Sequence, residues 1–87
     1  MNRPPSTRPN LGFAFESLVG QEVWVNIRIF QLYLKGVLKA FDEYSNILIE
    51  NATEYEKDAQ GAFVETAKYP GPVLVRGEGI VNVTKTK

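Results

Sequence analysis

The sequence contains neither cysteine nor histidine. Without cysteine no disulfide can form, and without either residue the usual nucleophile–base pairs of enzymes and the commonest metal ligand are missing. We therefore expect no catalytic activity, no metal and no cofactor. The 87 residues predict one small domain. A domain of this size buries only about 60–65% of its unfolded surface, so its stability depends on dense packing or on association between subunits.

A net charge of either sign is also absent, because ten basic residues balance ten acidic ones. Broad coating of nucleic acid requires a strong positive field, so any nucleic-acid site must be local. No apolar run approaches the roughly 18–20 residues that cross a bilayer, and no secretory signal is recognisable. We expect an intracellular protein, cytoplasmic or nuclear, that uses neither a membrane nor a small-molecule substrate.

The hydrophobic pattern predicts a flexible arm followed by a short helix. Residues 1–10 (MNRPPSTRPN) carry three prolines and cannot bury apolar surface, so their arginines are either solvated or touch RNA. In residues 11–20, Phe15, Leu18 and Val19 recur at helical spacing. This helix is too short to be stable alone, so it must pack against the rest of the domain.

Five strands are expected after the helix, where the hydrophobic period changes to two. They lie at residues 23–28, 29–40, 47–55, 73–75 and 80–83, with residues 57–72 as a variable connection and 77–79 as a tight turn. Gly36 lies inside the second strand, where a glycine usually marks a bend or a close backbone approach. Short, strongly bent antiparallel strands predict a mainly β fold, a small or partly open barrel.

Two turn segments carry side chains that could recognise a ligand. FDEYSN, residues 41–46, presents a carboxylate, an aromatic ring and an amide, a set that suits an unpaired nucleic-acid base. VRGEG, residues 75–79, presents Arg76, whose guanidinium stacks on a base or contacts phosphate. Each segment alone also fits a simpler interpretation: a polar turn capped by Asp42, and a tight hairpin with a solvated arginine.

Together and in this order, the two segments resemble the Sm1 and Sm2 motifs of the Sm and Sm-like (LSm) family. The first motif is matched by Val23, Val25, Gly36, Leu38, FDEYSN, Ile47, Ile49 and Ala52, and the second by VLVRGEGIVNV, residues 73–83. The resemblance covers about residues 11–83. It implies an Sm-like small barrel over residues 11–84, with a short N-terminal helix on a five-stranded, strongly bent antiparallel sheet, followed by a tail of residues 85–87.

The resemblance also implies assembly into a ring, usually of six or seven subunits. In the family the fourth strand of one subunit pairs with the fifth strand of the next. Carried over by position, the interface comprises Val73, Leu74, Val75, Ile80, Val81 and Val83. The neighbours would be copies of this chain or homologous subunits. The FDEY form resembles the E-type subunit of spliceosomal rings, whereas the short termini suit a self-assembling protein.

Family members bind single-stranded, usually uridine-rich RNA at the inner rim of the ring. By position, the resemblance implies that Tyr44 and Arg76 stack on a base from opposite sides. Asn46 would hydrogen-bond the base edge while Asp42 holds Asn46 in place, and Gly77 would bring the backbone close. The implied function is a non-catalytic ring subunit acting in RNA processing or ribonucleoprotein assembly.

Some residues depart from the family's pattern. Ser45 replaces a common methionine, and Glu78, where asparagine or aspartate is usual, adds negative charge beside the implied site. The turn after the first strand lacks a turn residue, and its Ile29 and Phe30 either form a partner surface or fold back onto the core; the same two possibilities hold for Trp24. These departures keep an alternative open, a structural or protein-interaction ring with weak or no RNA binding.

Overall fold

The computed structural model describes residues 11–29 and 31–86. The predicted arm, residues 1–10, lies outside these residues, as do Phe30 and Lys87 of the predicted tail. The elements are a helix α1 (Leu11–Leu18), the strands β1 (Glu22–Ile27), β2 (Leu32–Phe41), β3 (Ile47–Lys57), β4 (Phe63–Lys68), β5 (Val73–Val75) and β6 (Ile80–Lys85), and a 3₁₀ turn (Gly77–Gly79). In this part of the chain, no helix has the length and apolar character needed to cross a membrane.

The strands form one bent antiparallel sheet in the order β4-β3-β2-β1-β6, which confirms the mainly β prediction. β2 follows one edge of β3, while β5 pairs with the first residues of β3 and β4 with its last residues along the other edge. β6 pairs with β1. Among the described residues, no strand pairs with the outer edge of β5 or of β6, so the barrel stays open between these two strands.

The sheet has one strand more than the sequence predicted, because residues 57–72 are not an irregular connection. β4 pairs with the end of β3, and Asp58 closes the hairpin between them. Its Oδ1 accepts hydrogen bonds from the backbone N–H groups of Gln60 and Ala62, at 2.9 Å each. β4 escaped prediction because nearly all of its residues are exposed, so no alternation of buried and polar positions marks it.

The hydrophobic core lies between the inner face of the sheet and α1. Val23 and Val25 of β1 have no exposed surface, and neither does Phe15 of α1. The ring of Phe15 packs against Phe41, with 5.6 Å between ring centroids. Val19, predicted on the same helical face, is instead 42% exposed and lies just beyond the end of α1 at Leu18.

Gly36 marks the bend of β2, as the sequence predicted. The register between β2 and β3 shifts between Lys35 and Val37. A Cβ atom at Gly36 would lie 2.5 Å from Cγ2 of Ile49 and 2.7 Å from the carbonyl oxygen of Glu50. Since real Cβ atoms do not approach that closely, only glycine lets β2 and β3 come together at this bend.

Candidate nucleic-acid interface

Asp42 organises the turn between β2 and β3. Its Oδ1 accepts hydrogen bonds from the backbone N–H groups of Tyr44 (2.8 Å) and Asn46 (3.0 Å). The backbone N–H of Ser45 donates to the carbonyl oxygen of Asp42 at 3.1 Å, and Ser45 is buried in the left-handed conformation, with φ 67°. The backbone of this segment therefore forms a polar turn capped by the Asp42 side chain, as one of the two interpretations of the sequence predicts.

The amide of Asn46 is held from both ends. Its Nδ2 donates to Oδ2 of Asp42 at 2.9 Å, and its Oδ1 accepts from the backbone N–H of Gly77 at 2.7 Å. Because a carboxylate only accepts and an N–H only donates, these partners fix the orientation of the amide. One N–H on Nδ2 and one lone pair on Oδ1 remain free for a ligand.

The pKa of Asp42 is lowered from its usual value. The main cause is the side-chain hydrogen bond from Asn46, which together with the backbone N–H groups of Asn46 and Tyr44 outweighs the opposing effect of desolvation. Because the pKa is depressed in the folded chain, these hydrogen bonds contribute fully above the usual value of about 3.9 and are lost as the pH falls through the depressed pKa. At neutral pH, Asp42 is therefore ionised and acts only as an acceptor.

Gly77 joins the two predicted turn segments. It is buried, and a Cβ atom at this position would overlap the carbonyl oxygen of Tyr44 and lie 2.9 Å from that of Ser45. The absence of a side chain lets the backbone N–H of Gly77 reach Oδ1 of Asn46. The close approach expected at Gly77 is therefore present, and it fastens the 3₁₀ turn onto the β2–β3 turn.

Tyr44 and Arg76 present exposed side chains beside this framework. Tyr44 is 65% exposed, and the Arg76 side chain is also largely exposed, with Nη2 at 3.8 Å from the Glu78 carboxylate. Together with Asn46 and Glu78 they line an open cleft of about 350 Å³, here called the loop cleft. The structure thus brings Asp42, Tyr44, Asn46, Arg76 and Gly77 together, and it also places Glu78 beside them.

The loop cleft combines groups that suit a planar, polar, anionic ligand. The phenol ring of Tyr44 offers a stacking face, and Arg76 offers a charged plane that stacks or binds phosphate. Asn46 offers one donor and one acceptor in a fixed orientation. Among the described residues, no group of carboxylates or other metal-binding side chains is close enough to hold a metal ion.

Arg28 is a residue of this region that the sequence did not single out. Its Nε donates to the carbonyl oxygen of Glu78 at 3.1 Å, and its backbone N–H donates to the carbonyl oxygen of Gly79 at 2.7 Å. Both bonds anchor the 3₁₀ turn to the end of β1. No local pattern could have revealed Arg28, because its partners lie about 50 residues away in sequence. The neighbouring Ile29 is 65% exposed, so it does not fold back onto the core.

The residues predicted for a ring interface lie on β5 and β6, two of the three strands whose outer edges are unpaired in the described part of the chain; β4 is the third. Leu74 and Val81 expose 64% and 49% of their surface, whereas Val75, Ile80 and Val83 are buried in the subunit's own core and Val73 is partly buried. Side-chain contacts to another subunit would therefore come mainly from Leu74 and Val81. The other four residues could contribute through the backbone edges of their strands.

Comparisons with known proteins agree with this architecture. Residues 14–85 match the model of the LSM domain. A 43-residue stretch is 42% identical to the Sm-like protein LSM5 of Arabidopsis thaliana; the alignment covers 49% of this chain and 48% of that protein, so the chain spans about half the length of this curated relative.

Two solved structures share the fold. The Pyrococcus abyssii Sm protein in complex with a uridine heptamer superimposes with a TM-score of 0.70 at 19% identity, covering 98% of this chain and 100% of that one. The P. aerophilum SmAP1 heptamer superimposes with a TM-score of 0.65 at 26% identity, covering 90% of this chain and 95% of that one.

Proposed function

The chain belongs to the LSM-domain family, and from this premise we propose that it is a non-catalytic ring subunit that binds single-stranded, uridine-rich RNA in the loop cleft. The relatives support this proposal: one is an Sm-like protein, and another was solved with a uridine heptamer. In a ring, the loop clefts of successive subunits would line the inner rim. Each would hold one base, and RNA processing or ribonucleoprotein assembly is the matching role.

The fixed amide of Asn46 is the observation that carries this proposal. In an ordinary solvated turn a side-chain amide is free to rotate. Here the amide is held between a carboxylate and the buried backbone N–H of a second turn that is distant in sequence. Such an arrangement prepares one donor and one acceptor in advance, so little conformational entropy is lost when a base binds. Uracil has a donor and acceptors on neighbouring positions of its edge, which this pair of groups matches.

The unpaired edges of β5 and β6 support ring assembly. β5 and β6 each leave one edge free on the same subunit, so β5 of one copy can pair with β6 of the next, and a closed ring leaves neither of these two edges exposed. Covering Leu74 and Val81 would also remove two exposed apolar side chains from water. Base stacking at about 1–3 kcal/mol per base then recurs around the ring and gives affinity through multivalency.

Two variants of the loop cleft test the RNA proposal by changing its charge in opposite directions. Arg76→Ala should weaken the binding of fluorescein-labelled oligouridine to the assembled protein by at least tenfold, because it removes a stacking plane and a cation. Glu78→Gln should strengthen binding by roughly threefold, because it frees Arg76 from its ion pair at 3.8 Å; exposed pairs of this kind are worth about 0.2–1 kcal/mol. Fluorescence anisotropy measures both affinities.

Glu65→Gln is the matched control for Glu78→Gln, since it removes the carboxylate of another exposed ion pair of 3.8 Å, with Lys68 on β4. It changes the net charge equally and should leave the affinity unchanged. If Arg76→Ala and Glu65→Gln bind oligouridine equally well, the loop cleft is not the RNA site.

The ion pair between Arg76 and Glu78 also favours a second candidate, a structural ring that has lost RNA affinity. In that case the ion pair with the Glu78 carboxylate keeps the Arg76 guanidinium from binding RNA. The same titration separates the candidates. Oligouridine bound only by Glu78→Gln, and not by the wild type, would support the structural ring, whereas binding by the wild type supports the RNA-binding ring.

A further inference from the structure

A group of four aromatic residues, here called the outer-face cluster, lies on the side of the sheet that faces away from the core. Trp24 of β1 stacks on Phe63 of β4, with 4.9 Å between centroids and 27° between planes. Tyr55 lies 5.1 Å from Trp24, and Tyr33 lies 5.0 Å from Phe63. Trp24 alternates with the buried Val23 and Val25, so the cluster is not part of the hydrophobic core.

Two lysines place positive charge over these rings. Nζ of Lys35 lies 5.3 Å from the ring of Trp24 and 5.6 Å from that of Tyr55. Nζ of Lys57 lies 5.5 Å from Tyr33 and 5.4 Å from Phe63. The ion pairs found in residues 11–29 and 31–86 involve other lysines and arginines, so both ammonium groups are available to an anion.

An open groove of about 360 Å³, here called the outer groove, runs beside the cluster. Trp24, Tyr33 and Phe63 form its aromatic wall, and Asn26, Asn82 and Thr84 supply amides and a hydroxyl. The three polar residues lie next to the aromatic wall because Asn26 pairs with Asn82 and Trp24 pairs with Thr84 across β1 and β6. The groove therefore combines aromatic stacking faces with side chains that can both donate and accept hydrogen bonds.

The charges decide which ligand suits this groove. Aromatic clusters often bind cations. Here the ammonium groups of Lys35 and Lys57 already lie over the rings and would repel a cationic ligand. A purely apolar partner would leave the amides of Asn26 and Asn82 without hydrogen bonds. A planar ligand with polar edges and negative charge satisfies all three sets of groups at once.

We propose that the outer groove and the outer-face cluster form a second site for single-stranded RNA, separate from the loop cleft. Bases stack against Phe63 and Trp24, the amides contact base edges, and Lys35 and Lys57 contact phosphates. Phe63 is 46% exposed, so a stacking face is accessible. In the proposed ring, β6 uses its backbone edge, which leaves this face of the sheet open.

Trp24 makes the site directly observable, because it is the single tryptophan of the chain. The experiment uses the full chain with Asn46→Ala and Arg76→Ala, so that the loop cleft does not contribute. Hexaadenylate, whose purines stack strongly, is titrated while Trp24 emission is recorded with excitation at the red edge of its absorption. We expect a saturable change in emission whose midpoint rises steeply with salt, since two lysines bind phosphate.

Phe63→Ala in the same background should raise that midpoint by roughly tenfold, the loss of about one stacked base. Val64→Ala is its control, since Val64 is the next residue of β4 and is 47% exposed; it should leave the midpoint unchanged. Lys57→Gln provides a second variant that leaves the aromatic packing intact, and it should raise the midpoint by roughly threefold.

The proposal is overturned if hexaadenylate leaves Trp24 emission unchanged, or if Phe63→Ala and Lys57→Gln both bind as well as Val64→Ala. An equal, saturable response to oligoglutamate would also overturn it, because the site would then recognise acidic peptides rather than RNA. None of these outcomes bears on the loop cleft, which is tested with oligouridine and a different readout.

Discussion

Asn46→Ala is expected to reduce oligouridine affinity by at least tenfold. The substitution removes the donor and acceptor that we propose to contact a base, and it also breaks the link between the two turns. The buried backbone N–H of Gly77 loses its acceptor and Oδ2 of Asp42 loses its donor. A base bound by the variant leaves groups on its own edge without a protein partner; an unmade hydrogen bond of this kind costs about 1–3 kcal/mol, and each 1.4 kcal/mol is tenfold in affinity. The loss recurs in every subunit, so the effect on a whole ring is larger.

Fluorescence anisotropy with labelled oligouridine measures this effect. Gln60→Ala is the control, because Gln60 also carries an exposed amide but lies in the β3–β4 hairpin, away from the loop cleft. A thermal unfolding curve separates binding from folding: Asn46→Ala should lower the unfolding temperature, because the Gly77 N–H loses its acceptor, yet the variant should stay folded at the temperature of the binding assay. If Asn46→Ala binds oligouridine within twofold of Gln60→Ala, the fixed amide does not recognise RNA.

Gly36→Ala is expected to have the largest effect on stability. The new Cβ atom would lie 2.5 Å from Cγ2 of Ile49, 2.7 Å from the carbonyl oxygen of Glu50 and 3.1 Å from Cα of Ala52. The side chain of Ile49 can shift, but the backbone of β3 can move only by disturbing its pairing with β2. Overpacking of this kind costs about 1–3 kcal/mol or more, a large fraction of the stability of a small domain.

Urea unfolding monitored by circular dichroism, at one fixed protein concentration, measures the loss for Gly36→Ala. The concentration is fixed because assembly adds to apparent stability. Gly71→Ala is the matched control, since a Cβ atom at Gly71 would meet no heavy atom of the described chain within 4 Å. Equal unfolding midpoints for the two variants would show that β2 and β3 do not approach as closely as the structure has them.

The sequence indicates which residues meet at the loop cleft because their side chains lie in two short segments. Asp42, Tyr44 and Asn46 fall within five residues, and Arg76 and Gly77 are adjacent. Each segment could be read locally, and their order along the chain indicated that they meet. What the sequence could not give is the hydrogen bond from Gly77 to Asn46, because it depends on how β3 and β5 pair.

The outer-face cluster was missed for a different reason. The sequence leaves Trp24 open between a partner surface and a residue folded back onto the core, because the residues around it are distant in sequence. They come from three other strands: Tyr33 from β2, Tyr55 from β3 and Phe63 from β4. The contacts depend on the register of each strand pair, and two of these pairs contain irregular shifts. They also depend on β4, which the sequence does not predict because nearly all of its residues are exposed.

Native mass spectrometry of the full chain mixed with heptauridine tests whether the chain forms a ring that holds single-stranded RNA. We expect one closed species of six or seven copies that carries one RNA strand, with the strand lost in Asn46→Ala. A chain that stays monomeric at tens of micromolar, or a ring that retains no heptauridine, would contradict it.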